Sequence, residues 1–150
     1  MMRLSKMTDY AVVMMVHMGQ TPGRVFAASQ IADDTGVAQP TVAKLLKELT
    51  RGGLLTSIRG VNGGYVIDRA PDDISVAEVV EALEGPIALT ACVDGADDNC
   101  TVESLCGMRG NWNKVNSAIR TALEGVSLAD MALQPMTFPA PKELATEEHA

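Results

Sequence analysis

Apolar side chains recur every three or four positions along the first fifty residues of the chain, which is the period of an amphipathic helix. They predict three helices, over residues 5–19, 30–35 and 39–51. Ser5 and Ser29 are suitable N-caps for the first two helices. Gly36 favours the left-handed turn that ends the second, and Pro40 suits the first turn of the third. Two helices joined by a short turn around a glycine are typical of a helix-turn-helix.

Two short strand-like runs, 54–58 and 65–68, follow the third helix and are separated by a glycine-rich loop. Glycine and asparagine adopt positive φ at little cost, so this loop can form a tight hairpin that presents Arg59. A plain exposed hairpin is the alternative interpretation. The position of the hairpin directly after a helix-turn-helix favours a wing.

The second half of the chain contains two further predicted helices. Ser75 and Glu78 form a capping-box pattern that opens a helix ending before Gly85. A later helix, 111–123, has an apolar seam spaced by three and four residues. Its members are Trp112, Val115, Ala118 or Ile119, Ala122 and Leu123. Because a core this small offers the seam no obvious partner, we expect it to pack on the same helix of a second subunit in a homodimer.

These elements predict a mainly α fold with a small β-hairpin wing, that is, a winged helix-turn-helix plus a long dimerisation helix. The predicted segments are a winged helix-turn-helix DNA-binding domain (1–70), a connecting helix (71–91), a loop that contains the three cysteines (92–106), a dimerisation helix region (107–133) and a disordered tail (134–150). The tail is assigned from its three Pro and several Glu.

Composition narrows the class of protein. The chain is 47% hydrophobic and 21% charged, which is typical of one globular domain. The apolar run 11–18 is too short to span a bilayer and no cleavable signal follows it, so we expect a cytoplasmic protein without a membrane partner. The chain has no paired carboxylates, nucleophile-base set or phosphate-binding loop, so we predict that it is not an enzyme and has no catalytic residue.

The net charge of −7 is unevenly distributed along the chain. Residues 1–70 carry eight Lys and Arg against five Asp and Glu, whereas residues 71–150 carry four against fourteen. Because the screening length in physiological salt is about 8 Å, a basic face in the first half can act on phosphate despite the acidic second half. A solvated surface of uneven charge is the alternative, but only the first half is expected to face double-stranded DNA.

The expected DNA contacts lie in the third helix and in the wing. The first turns of a recognition helix enter the major groove, so Gln39, Thr41 and Lys44 are expected to face base edges. Lys47 is expected to contact phosphate. Arg59 is expected to reach a phosphate or a minor groove from the wing.

The three cysteines, Cys92, Cys100 and Cys106, lie in an acidic, turn-prone segment with no core of its own. Their C-x7-C-x5-C spacing matches neither zinc ribbons nor ferredoxins and is by itself a weak signal. Three soft thiolate donors in one loop favour metal ligation, with buried unreactive thiols as the alternative. Catalytic use of a thiol is less favoured, because the only imidazole bases are His17, within the first helix, and His149, in the tail.

Several short motifs occur in a specific combination over about residues 2–130. They are Met2-Arg3-Leu4-Ser5-Lys6, Thr8-Asp9-Tyr10-Ala11, the region 37–49, Gly53-Leu54-Leu55, Arg59-Gly60, Gly63-Gly64-Tyr65 and three Cys before a Trp-bearing helix. This combination resembles the IscR-type (Rrf-two) family of bacterial regulators. The resemblance implies a homodimeric winged helix-turn-helix transcription factor that binds a DNA operator and senses iron–sulfur clusters, iron, nitric oxide or redox state. Residues 3–12 look most like the branch that regulates the Suf cluster-assembly system.

The resemblance also implies roles for individual residues. It assigns Cys92, Cys100 and Cys106 as ligands of an iron–sulfur cluster, either [2Fe-2S] or [4Fe-4S]. Some members take a fourth ligand from a His three residues after the last Cys, but this chain has Arg109 there, which offers iron no lone pair. Other members take a carboxylate from the first helix of the partner subunit, and Asp9 stands at that position. The alternative for Asp9 is a first-turn acid stabilised by the helix dipole.

Three functions are open at this point. The resemblance favours a regulator whose DNA affinity depends on cluster occupancy and which controls cluster-assembly (Suf/Isc) genes. One rival is a cluster-free winged-helix regulator that responds to thiol oxidation. The other is a protein-interaction module that uses the winged helix as a dimer scaffold. An absorption spectrum separates the first two functions, and salt-dependent DNA binding tests the third.

Overall fold

The computed structural model describes residues 2–96, 100–102, 105–108 and 110–132. Within these ranges the chain forms six α-helices, a 3-10 turn at Pro71–Asp73 and one two-stranded sheet. In chain order the elements are α1 (Lys6–Gly19), α2 (Ala28–Thr35), α3 (Gln39–Arg51), β1 (Thr56–Ile58), β2 (Gly64–Val66), α4 (Val76–Glu84), α5 (Asn111–Glu124) and α6 (Leu128–Ala132). The predicted fold class, mainly α with a small hairpin, is confirmed. The predicted tail, 134–150, lies outside the described residues.

The first two helices begin and end largely as their caps predict. Ser5 is the N-cap of α1, where its Oγ accepts a first-turn N–H at 3.1 Å, and Gly36 ends α2 with φ of 78°. The N-cap of α2 is Ala27, so the predicted cap at Ser29 is wrong. Gln30 accounts for the difference, because its Oε1 reaches back from the first turn to accept the N–H of Ala27 at 3.1 Å.

The third helix, α3, has one buried and one exposed face. Its bounds, Gln39–Arg51, agree with the prediction. Four apolar side chains are fully buried: Val42, Leu45, Leu46 and Leu49. This stripe packs towards α1, α2 and α4, which holds the opposite, polar face of α3 outward as a rigid surface.

The wing is an antiparallel hairpin of β1 and β2. Both strands are shorter than predicted, and Leu54 and Leu55 are buried in the core instead. Phe26, just ahead of α2, pairs with Tyr65 through two backbone hydrogen bonds of 2.8 and 2.9 Å. The neighbouring Gly64 allows this close approach, because a Cβ there would lie 2.3 Å from the carbonyl oxygen of Phe26. The base of the wing is therefore fastened to the helix-turn-helix.

One main core joins the winged helix-turn-helix to the later helices. Val79 of α4 and Leu128 of α6 belong to the same buried cluster as the apolar stripe of α3. Two backbone bonds close the junction: Val76 N–H to the Val126 carbonyl at 2.8 Å, and Leu128 N–H to the Ile74 carbonyl at 2.9 Å. Helix α6 was not predicted from the sequence, because five residues are too few for a helical period to show.

A second, smaller apolar cluster lies between α4 and α5. It consists of Val76, Ala77, Val80 and Ile87, with Ile119 and Leu123 packed against them. The expectation that the whole seam of α5 lacks a partner within its own chain is therefore wrong. Trp112 and Val115, at the other end of the seam, are 40% and 45% exposed. Ala118 and Ala122 are exposed as well, so Trp112 and Val115 are the large apolar members of the seam that are left to be covered by something else.

The carboxylate of Glu84 joins the end of α4 to the start of α1. Its Oε1 accepts the backbone N–H of Ser5 at 2.9 Å and the hydroxyl of the fully buried Thr8 at 2.6 Å. These hydrogen bonds, the one from Thr8 first, favour the ionised carboxylate and lower the pKa of Glu84 from its ordinary value. The junction between α1 and α4 is therefore strongest when Glu84 is charged.

Replacing Glu84 by Gln is expected to flatten the acid limb of the stability curve. A carboxyl whose pKa is lowered by folding contributes stability above its unfolded pKa, about 4.3, and that contribution is lost as the pH falls through the folded pKa. The thermal midpoint should therefore drop more for the wild type than for Glu84→Gln as the pH is lowered from about 5 to about 3. Circular dichroism melts measure this difference, with Glu48→Gln as control. Equal drops for all three proteins would show that the charge of Glu84 contributes nothing to the junction.

The described helices are short relative to a bilayer. The longest, α1 and α5, have 14 residues each. A transmembrane helix needs about 20 predominantly apolar residues. In the ranges that the structure describes, no helix meets the length and apolarity required to cross a membrane.

Candidate DNA interface and cysteine segment

The outward face of α3 carries the residues predicted to contact DNA. Gln39, Lys44 and Lys47 are exposed, and Thr41 is half-buried. The spacing of three places Thr41, Lys44 and Lys47 on one side of the helix. Within the described part of the chain neither lysine takes part in a salt bridge, so both charges are available to an anion.

The wing presents Arg59 through a tight turn. Arg59 is exposed immediately after β1. Gly60 has φ of 115°, and the N–H of Gly63 bonds to the Gly60 carbonyl at 3.0 Å. A glycine-dependent turn of this kind restricts the path of the loop. Phe26 fastens the base of the wing to the segment ahead of α2, so the hairpin that carries Arg59 is attached to the helix-turn-helix.

Arg24 is an exposed cation that the sequence analysis did not single out. Its guanidinium carbon lies 4.6 Å from the ring centroid of Phe26, whose backbone pairs with the wing. The signal available in the sequence was a basic residue two positions before Phe26 in an extended segment, where alternate side chains share a side. Arg24 adds positive charge at the base of the wing.

His17 connects α1 to the helix-turn-helix. Its Nε2 lies 2.9 Å from Oδ2 of Asp34 on α2. Its ring packs edge-on against Phe26, with 5.5 Å between the ring centroids. This structural role accounts for a histidine that the sequence analysis had considered only as an imidazole base.

The three cysteines are free thiols, and each is half-buried. The Sγ of Cys92 lies 3.2 Å from Oγ1 of Thr90. Neither Cys92, Cys100 nor Cys106 is part of the two apolar clusters of the described chain. The thiols are therefore accessible as ligands or as reactants.

Donor chemistry and geometry give different answers about a metal site. Three soft thiols in one segment match the donor set of an iron–sulfur cluster. Across the described residues, however, no three His, Cys, Asp or Glu side chains are grouped so that they could hold a metal ion. Residues 97–99, 103–104 and Arg109 lie outside the described ranges. The cluster assignment thus depends on the donor set and not on a formed site within one chain.

Asp9, the predicted fourth ligand, is exposed on the first turn of α1. It lines a cleft of about 540 Å³ with residues that include Val12, Val76 and Met131. None of the three cysteines is among the described residues that line this cleft. The structure of a single chain therefore does not bring Asp9 and the cysteines together.

Two asparagines of α5 bind the segment that contains the first cysteine. Asn113 Oδ1 accepts the N–H of Asp94 at 3.0 Å. Asn116 Oδ1 accepts the N–H of Leu89 at 2.9 Å, and its Nδ2 donates to the carbonyl of Ile87 at 2.8 Å. Neither residue was predicted from the sequence to have a role. The signal available was a polar Asn116 within the otherwise apolar seam of α5.

The profile of the family described as Rrf2, iron-dependent transcriptional regulator, matches residues 4–134. The chain belongs to the Rrf2 family. The match extends from α1 to α6, so it includes the cysteine segment as well as the winged helix-turn-helix. The family resemblance stated from the sequence is thereby confirmed.

Individual relatives agree with this assignment. The protein aau3 of Rhizobium meliloti (strain 1021) is 31% identical over 130 residues, which are 87% of this chain and 84% of that protein. The solved structure of CymR, the global cysteine regulator of B. subtilis, has a TM-score of 0.66 and 26% identity over 88% of this chain and 97% of its own. T. potens IscR has a TM-score of 0.61 and 27% identity over 99% of this chain and 92% of its own.

Membership of the Rrf2 family makes this chain a transcriptional regulator and not an enzyme. Rrf2 regulators bind DNA, and the winged helix-turn-helix described above is the element suited to it. The relatives include both an IscR and a cysteine regulator, so membership of the family does not by itself determine what the regulator senses.

Replacing Arg59 and Lys47 separately by Ala is expected to distinguish two kinds of DNA contact. Arg59→Ala should weaken binding to the operator by about 1–3 kcal/mol if Arg59 reads the minor groove. Lys47→Ala should weaken binding to all sequences similarly and lower the salt slope by about one if Lys47 contacts phosphate. The measurement is fluorescence anisotropy at several salt concentrations, on a DNA site selected from a random library by the wild type. Lys114→Ala on α5 is the control, and a variant that matches it is not at the interface.

Proposed function

We propose that this Rrf2 protein is a homodimeric regulator whose operator affinity depends on an iron–sulfur cluster held by Cys92, Cys100 and Cys106. Asp9 of the second subunit is the proposed fourth ligand. The genes under its control are proposed to be those of iron–sulfur cluster assembly (Suf/Isc), as in the branch that residues 3–12 resemble.

One observation carries the cluster proposal. Three free, half-buried thiols lie in one short segment outside the apolar clusters, in a chain whose family is described as iron-dependent. Thiols buried in an apolar cluster would contribute to core packing, whereas these three thiols lie outside both clusters. The likeness to T. potens IscR over nearly the whole chain supports the same interpretation.

The residues of the chain supply ligands and a mechanical connection. When bound, a cluster supplies iron–sulfur bonds that respond to oxidants, nitric oxide or iron shortage. The segment of Cys92 is hydrogen-bonded to α5, and Asp9 lies at the start of α1, which packs directly on the DNA-facing helix α3. Loss of ligation would therefore free the cysteine segment of one subunit from α1 of the other. This would change how the winged domains are held in the dimer.

The proposed dimer contact is the exposed part of the seam on α5. Trp112 and Val115 are large apolar residues that stay 40% and 45% exposed in the single chain. Covering them by a second copy removes apolar surface from water, which is the usual driving force of homodimer formation. A two-fold dimer also matches two DNA half-sites separated by about one helical turn or a multiple of it.

A second candidate function is cluster-free regulation by thiol oxidation. It is favoured by the likeness to CymR, a global cysteine regulator, and by the lack of grouped metal ligands among the described residues. In this case two thiols lose two electrons and two protons to an oxidant such as a peroxide and form a disulfide.

Anaerobic purification followed by DNA binding separates the two candidates. The cluster proposal expects coloured protein with bound iron and sulfide, a Mössbauer spectrum that identifies the cluster, and a changed operator affinity once a chelator removes the iron. The second candidate expects colourless, iron-free protein whose affinity changes with peroxide and returns with a dithiol. Colourless protein that is indifferent to peroxide contradicts both.

A further inference from the structure

Asn116 is an unusual residue for its position in α5. It is only 5% exposed, and it is the one buried residue among those described for this helix. Both polar atoms of its amide are satisfied by main-chain groups, because Oδ1 accepts the N–H of Leu89 and Nδ2 donates to the carbonyl of Ile87. A buried amide without such partners would be costly, so this side chain is fitted to the segment it holds.

Asn113, one turn earlier on the same helix, makes a second attachment. Its Oδ1 accepts the N–H of Asp94 at 3.0 Å, and its Nδ2 donates to Oδ2 of Asp94 at 3.3 Å. Residues three apart share a helix face, so both asparagines point to the same side of α5. Their attachments to residues 87, 89 and 94 lie on both sides of Cys92 in the chain.

The segment between these attachments has no helix or strand of its own. Residues 85–96 are turns and irregular backbone, so the asparagine bonds take the place of a regular hydrogen-bond ladder. Val93 is 4% exposed and anchors the same stretch. The thiol of Cys92 bonds to Thr90 within it. A displacement of Cys92 must therefore break these bonds or move α5 with it.

We propose that Asn113 and Asn116 are positioning residues that couple the chemical state of Cys92 to the position of α5. This rests on the proposed sensor role of the cysteine segment. Coupling between two sites is reciprocal, so weakening the attachment should change Cys92, and changing Cys92 should change α5. If the hydrogen bonds of Asn113 and Asn116 only kept the segment folded, a change at Cys92 would not alter the position of α5.

The first arm of the test measures the reactivity of Cys92. The full chain with Cys100→Ala and Cys106→Ala has one thiol, whose thiolate attacks an aromatic disulfide reagent and releases a coloured aromatic thiolate. Asn116→Asp keeps the oxygen that accepts the N–H of Leu89. It replaces the Nδ2 donor by a carboxylate oxygen, which cannot donate to the carbonyl of Ile87 and is repelled by it. We expect the reaction to be about tenfold faster in this variant, measured well below its melting temperature.

Two further variants serve as a control for Asn116→Asp and as an alternative to it. Ser117→Ala, at an exposed position of α5, is the matched control. Asn113→Ser removes the second attachment from a half-exposed position, so it remains informative if Asn116→Asp does not fold. Reaction rates within twofold of the control for both asparagine variants would overturn the proposal.

The second arm measures the reverse effect through Trp112, the only Trp of the chain, which lies on α5. Labelling Cys92 with a maleimide in the single-thiol chain should shift the Trp112 emission. The shift should be lost when Asn113→Ser and Asn116→Asp are combined and kept in the Ser117→Ala control. The coupling is contradicted if labelling leaves the Trp112 emission of the single-thiol chain unchanged. It is also contradicted if the emission shifts equally in the single-thiol chain, the combined asparagine variant and the Ser117→Ala control.

Neither arm uses iron, a cluster or DNA. A colourless, iron-free protein that still shows both effects would refute the cluster but keep the coupling. A coloured protein without either effect would keep the cluster and refute the coupling.

Discussion

Replacing Cys92, Cys100 or Cys106 singly by Ala is expected to abolish or strongly destabilise the visible chromophore of the anaerobically purified protein. Each thiolate supplies a strong bond to iron that an alanine methyl group does not replace. The measurements are the visible spectrum and the iron and sulfide content per chain. Circular dichroism of each variant shows that it folds, which is expected because no cysteine belongs to the apolar clusters of the described chain.

Asp9→Ala should behave differently from the cysteine variants. A chromophore should still form, because water or a small thiol can occupy one vacated position, but its lifetime in air and its redox response should change. The matched control is Asp33→Ala, which removes an exposed acid from a different helix, α2. An Asp9 variant that decays at the same rate as this control is not missing a ligand.

The outcome most damaging to the sensor proposals combines three results. The wild type would be colourless, free of iron, and equal in DNA affinity to a variant with all three cysteines replaced by Ala. Such a protein would use neither a cluster nor thiol oxidation. Its winged helix-turn-helix would then act as a redox-independent regulator.

Val115→Asp is expected to convert the proposed dimer into monomers. Val115 is 45% exposed in the single chain, so a charge there is solvated in the monomer and does not disturb either apolar cluster. In the dimer the same charge would be buried without a partner, at a cost of about 2–5 kcal/mol. Sedimentation velocity over a range of concentrations measures the shift, and a far-ultraviolet circular dichroism spectrum with the helical content of the wild type shows that the fold is intact.

Two companion variants identify the contact surface. Ser117→Asp adds the same charge at an exposed position on another side of α5 and should leave the dimer unchanged. Ile119→Asp is less informative, because Ile119 packs against the cluster on α4 and its loss would also destabilise the single chain. A Val115→Asp protein that remains dimeric would show that the contact lies elsewhere.

Elements whose stabilising contacts are local were predictable from the sequence. The helices α1, α3, α4 and α5 were located from period and caps, since an N-cap such as Ser5 or Ser75 bonds within its own first turn. The wing followed from glycines between two strand-like runs. The candidate DNA-facing residues followed from these elements, because the buried stripe of α3 determines which of its residues face outward.

Contacts between distant parts of the chain had no local signal. Phe26 pairs with the wing across 39 positions of sequence, and Asn116 holds Leu89 across 27. Glu84 bonds to Thr8 across 76 positions. No periodicity or capping pattern relates such residues to one another. The same applies to the predicted seam of α5, which was divided between α4 and solvent only when the chain folded.

The sequence by itself determined the family, the winged helix-turn-helix and the candidate residues, because these depend on residue type and short-range spacing. Only the tertiary structure decided that α6 returns to the main core, that α5 rests on α4, and that two asparagines attach the Cys92 segment to α5. The physical reason is that burial and hydrogen-bond pairing are satisfied by whichever groups the folded chain brings together, however far apart they are in sequence.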